Sequence, residues 1–143
     1  MTHSLFEILL KEYPDQVERV FSQEYCDIDE TFLGFMDTYE ALSKVIPKYW
    51  TILDIGCSYC AQGYYFKDHK KYIGIDRSRN EVFQFKNSEY FIMNIALCAT
   101  YYGAQDKDTF AILNYVPCTV EESLFIRQSF PNLYCYYPYG EFK

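Results

Sequence analysis

The sequence predicts an α/β fold, a three-layer sandwich on a parallel five-stranded sheet, from three observations. Short apolar runs ending on polar residues recur five times after residue 47, alternating for the most part with helix-patterned stretches. Residues 50–76 read as strand, tight turn, brief helix and strand, with acids at Asp54 and Asp76. Strands joined through helices pair in parallel, and the helices cover both faces of the sheet.

Each element has its own signal. Leu5, Ile8, Leu9 and Tyr13 form a helical stripe broken by Pro14. Asp15 is placed to cap a second short helix with Val17, Val20 and Phe21 inward. The acidic residues 26–30 read as a connection. Phe32, Phe35, Met36, Tyr39, Leu42, Ser43 and Ile46 then keep a helical period up to Pro47. That last helix is expected on the sheet, and the first two as a lid or edge cover. Strands are expected at 50–56, 72–76, 89–94, 109–114 and 132–137, the first of them central. Between them the pattern predicts helices over 80–86, with Val82, Phe83 and Phe85 inward, and over 96–102, stopped at Gly103. Thr119 with Glu122 three residues on predicts a capping box for a helix through Phe130.

The 143 residues fit one domain, with N-terminal helices over 1–47 and an α/β core over 48–143. Half the residues are apolar and a fifth aromatic, which speaks against disorder. A net charge of −7 disfavours nucleic acid as a partner, because that affinity comes from Lys and Arg on phosphates. Residues 5–10 are too short and lack the basic flank of a signal peptide, and no run reaches membrane-spanning length, so a cytoplasmic location is expected. In such a compartment the six cysteines are most simply small buried apolar residues.

Leu53, Asp54 and Gly56, followed by Asp76 at the end of the next strand, resemble the cofactor half of class I S-adenosylmethionine (SAM) dependent methyltransferases. That family's first loop reads roughly Leu-Asp-x-Gly-x-Gly-x-Gly; here Ser58 and Cys60 stand at the later glycines. The resemblance implies a Rossmann-like sheet in the order 3-2-1-4-5 and SAM or S-adenosylhomocysteine (SAH) as cofactor. It places Asp54, Gly56, Cys57, Ser58, Tyr59, Asp76, Arg77 and Asn94 around that cofactor, with Asp76 on the ribose hydroxyls and Asn94 near the adenine. The family pattern usually continues into a further helix and an antiparallel hairpin, for which these residues leave no counterpart. Asn114-Tyr-Val-Pro117 follows the fourth strand, where amino-methylating members carry Asn/Asp-Pro-Pro-aromatic, so Asn114 is the candidate to face a small-molecule or protein substrate. Tyr59, Tyr115, Tyr137 and Tyr139 could wall the pocket.

The residues themselves support the choice of ligand. A pyrophosphate loop needs glycine where Ser58 stands, and Asp54 adds negative charge beside it. SAM has no phosphate and carries an ammonium and a sulfonium, which a carboxylate suits. Three other readings stay open. The fold could serve as a non-catalytic partner-binding module. Asp76 and Asn94 could simply cap a helix and make a turn. Cys57-x-x-Cys60 could be a redox pair, although Asp54 disfavours a thiolate there; for zinc it supplies two ligands only, and neither His3 nor His69 is well spaced to join them.

Overall fold

Five parallel strands, β1 (Thr51–Ile55), β2 (Lys71–Asp76), β3 (Ser88–Ile92), β4 (Thr109–Asn114) and β5 (Leu133–Tyr136), form a sheet in the order β3-β2-β1-β4-β5. This computed structural model describes residues 4–22, 36–102, 107–114, 116 and 119–136. The expected α/β class, strand order and central first strand are all found. β1 is buried at every residue, as a central strand covered on both faces must be. No helix among the described residues is long and apolar enough to cross a membrane.

Side chains alternate across the sheet. Ile52, Tyr72 and Ile112 enter one core with α1 (Ser4–Glu12), α2 (Pro14–Phe21), α3 (Asp37–Val45) and a 3-10 helix over Ala61–Phe66. Leu53, Ile55, Ile73, Ile75, Ala111 and Leu113 enter the other, beneath α4 (Ile95–Tyr102) and α5 (Val120–Ser129). Pro14 occupies the first turn of α2, where its missing N–H is harmless, so the break seen in sequence is a helix start. Thr119 and Glu122 form the expected capping box, and α5 ends at Ser129 with Phe130 as its C-cap. Phe32, Phe35, the connection at 26–30, Gly103, Tyr115, Pro117, Tyr137 and Tyr139 lie outside the described residues.

Two expectations are corrected. The third strand closes at Ile92 because Asn94 already caps α4, its Oδ1 accepting from Leu97 N at 2.7 Å. Residues 80–86 form no helix; Val82, Phe83 and Phe85 are all buried in irregular chain. The backbone there is satisfied by distant partners instead of by its own turns. Phe83 N donates to Tyr59 O (2.8 Å), Gln84 N to Gln16 Oε1 (2.7 Å) and Phe85 N to Ser88 Oγ (2.7 Å). Gln16 Nε2 returns a bond to Gln84 O (2.8 Å), and Arg19 reaches Val82 O (2.7 Å). α1 and α2 pack with the 3-10 helix, and α2 clamps the chain that follows β2.

Candidate functional site

β1 lies between β2 and β4, so the chain order reverses across it, and the carboxyl ends of β1 and β4 are where an open α/β sheet of this order places a ligand. The loop leaving β1 fills this position. Gly56, Ser58 and Cys60 all have left-handed backbones, with φ of +74°, +56° and +62°. Ser58 and Cys60 thus hold the conformation that glycine adopts freely, at a penalty of roughly 1 kcal/mol each. Gly56 N and Cys57 N donate to Ile75 O (2.7 and 3.0 Å), and Cys60 N closes a turn on Cys57 O (3.1 Å).

Asp76 ends β2 beside that loop. Its Oδ2 accepts from Ser58 N (2.9 Å) and its Oδ1 from Ser78 N (3.0 Å), the second a side-chain turn two residues on. No helix follows for it to cap. The carboxylate is half-buried, and each oxygen has accepted a single bond from these partners. Ser58 is likewise half-buried, Arg77 is exposed, and Tyr59 is buried with its carbonyl held by Phe83.

Asp54 points into the core beneath the loop and is fully buried. Its Oδ2 accepts from Gln62 Nε2 (2.6 Å) and Tyr72 Oη (2.5 Å), while Gln62 also donates to Cys57 O (2.9 Å). Its Oδ1 is buried without a hydrogen bond. Burial raises the carboxyl from 3.8 to about 7; the two donors offset part of that, and the Asp76 charge adds to it. Asn114, on the same face at the end of β4, is buried and hydrogen-bonds the Tyr39 side chain of α3; its Oδ1 also lacks a partner.

Val116, just past β4, stands against Gly56. A Cβ built on Gly56 would meet Val116 Cγ2 at 2.3 Å, so glycine here serves both the turn and the close approach of that side chain. Asn94, the cap of α4, lines a separate open cleft of about 580 Å³ between α4 and α5, together with Leu97, Thr119 and Phe125.

The Cys57 and Cys60 sulfurs lie 3.2 Å apart against Gly74, whose added Cβ would meet them at 2.9 and 2.7 Å. Burial first, then Cys60 and the Asp54 and Asp76 charges, push the Cys57 thiol well up, the opposite of an activated redox thiol. His69 is buried with Nε2 against Ile46 O (3.0 Å). Among the described residues no three His, Cys, Asp or Glu gather to hold a metal.

The sheet order, with this loop on its first strand, defines a Rossmann-like α/β fold. No family model and no curated protein matches the chain. Among solved structures it is similar to coclaurine N-methyltransferase, in a crystal structure bound to N-methylheliamine and SAH, at 15% identity and a TM-score of 0.43. The match covers 68% of this chain and 31% of that one, so the chain spans less than a third of that enzyme's length. A likeness this slight carries no weight for activity.

Gln62, Tyr72, Tyr39 and Val116 were not singled out by sequence as site residues. Only Gln62 had a readable signal, as a polar residue in the turn after the loop. The other three enter through strand pairing and helix packing.

Proposed function

We propose that the chain is a methyltransferase-type domain that binds SAM or SAH at the carboxyl ends of β1 and β2. The observation that carries this reading is the pairing of glycine-like backbone at Ser58 and Cys60 with the half-buried Asp76 carboxylate beside it. Asp76 would take the ribose hydroxyls on its remaining lone pairs. Asp54 Oδ1 and Asn114 Oδ1, buried acceptors on neighbouring strands, favour a cationic donor over a phosphate. The cofactor supplies an activated methyl group on its sulfonium. The protein's part is alignment with a small-molecule or protein acceptor near Asn114, in a cytoplasmic setting.

A second reading has its own observation. Val116 stands on Gly56 and Tyr39 holds Asn114, as in a scaffold that kept the fold and closed the ligand position. Calorimetric titration with SAM and SAH separates the two. On the first reading the protein binds, Asp76→Ala weakens binding by about 1–3 kcal/mol, and Val116→Ala strengthens it by clearing the methionine end. If neither the wild type nor Val116→Ala takes up either compound, the scaffold reading replaces the first.

A further inference from the structure

β3 is an edge strand, paired with β2 and with no other strand of the sheet. Its inward groups are fixed by two bonds: Tyr72 N donates to Asn87 O (3.2 Å) and Met93 N to Asp76 O (3.0 Å). In a strand, successive residues turn their N–H and C=O to opposite sides, so Glu89 and Phe91 also face β2. Ser88, Tyr90 and Ile92 face outward. Ser88 N is taken by Phe85 O (3.0 Å), which leaves the N–H and C=O of Tyr90 and Ile92 with no partner among the described residues.

Among the described residues this edge, 88–92, lacks a proline, a lysine and a covering helix. Phe91 and Ile92 are 40% and 48% exposed. The chain as a whole is acidic, yet the strand's one charge, Glu89, is paired with Lys71 at 3.1 Å.

We propose that β3 pairs antiparallel with β3 of a second copy, joining two sheets across a two-fold axis at Phe91. In that register Tyr90 exchanges both bonds with the partner's Ile92, and Ile92 with the partner's Tyr90, which satisfies the free N–H and C=O groups of both residues. Phe91 stacks against the partner's Phe91 in the close, non-hydrogen-bonded position. Glu89 falls opposite the partner's Met93, so no like charges oppose. A register centred on Tyr90 would call on Ser88 N, which is already bonded. An acidic surface elsewhere repels a second copy; this strip does not, and it is complementary to itself.

Sedimentation velocity over a concentration series tests the pairing. The wild type is expected to reach the mass of two chains. Ile92→Pro deletes an outward N–H that the monomer does not use, and Phe91→Lys sets two cations together on the axis. Both should run as one chain with unchanged far-ultraviolet circular dichroism. Should Ile92→Pro fail to fold, Phe91→Lys decides. Leu124→Lys, on the exposed flank of α5, should leave the dimer intact. A wild type of one-chain mass at every concentration overturns the proposal. So does a dimer that persists in Phe91→Lys, or one that only Leu124→Lys disperses.

Discussion

On one face of the sheet the interior carries Asp54, Gln62, Asn114, Tyr39 and Tyr72 among its apolar groups. On the other, Leu53, Ile55, Ile73, Ile75, Ala111 and Leu113 meet α4 and α5, and no carboxylate or amide is buried among the described residues. The difference follows the loop after β1. It turns toward the first face, and the polar groups beneath it bind that loop to the strands. The second face does nothing but exclude water. Stability is therefore expected to be pH-independent on one side of the sheet and titratable on the other.

The largest effect should come from the dry face. Leu113→Ala removes a side chain that is 1% exposed and leaves a cavity between β4 and its helices, worth about 2–5 kcal/mol in urea unfolding. That loss should be the same at pH 5 and pH 8; a pH-dependent loss would break the division between the faces.

Asp54→Asn probes the wet face. Burial pushes the folded carboxyl up from its ordinary 3.8 to about 7, so the fold favours the protonated form. Its contribution is fully present below about pH 4, is lost as pH rises to about 7, and stays lost above. Across that window the wild type should lose roughly 2–4 kcal/mol relative to Asp54→Asn, which should be the more stable protein at pH 8. Parallel pH profiles for the two proteins would mean that Asp54 is solvated.

The smallest effect concerns the clamp at the border of the wet face. Gln16→Ala removes both bonds to Gln84 and should lower stability by about 0.5–1.5 kcal/mol. Hydrogen exchange should rise at Gln84 before it rises in β1. Uniform exchange would place this segment within the cooperative core.

Much of this layout was legible in the residues. Apolar runs of strand length, Pro14, and the Thr119–Glu122 pair are local signals, and each produced its element nearly in place. The failure at 80–86 was of another kind. Val82, Phe83 and Phe85 fit a helical face or an inward-turning extended chain equally well, and the choice was made by Gln16 and Arg19, more than sixty residues earlier. At the site, the left-handed positions at Gly56, Ser58 and Cys60 follow the glycine pattern of the resemblance. The burial of Asp54 under Gln62 and Tyr72, and Val116 on Gly56, depend on which strands lie adjacent. No window of sequence contains that information.

The Gln16–Gln84 clamp, whose partners stand 68 positions apart, also sets an order of events during synthesis. The apolar stripe of α1 and α2 (Leu5, Leu9, Val17 and Val20) is made first, but Phe83 and Phe85, which complete its core, are made some sixty residues later. Until then the helices have no finished surface on which to dock, and the nascent chain carries an uncovered sticky stripe. Closure of this layer waits on β1, its loop and β2, so α1 and α2, translated before them, settle after them. A ribosome stalled before residue 83 would hold a chain whose N-terminus is helical in tendency and open to chaperones.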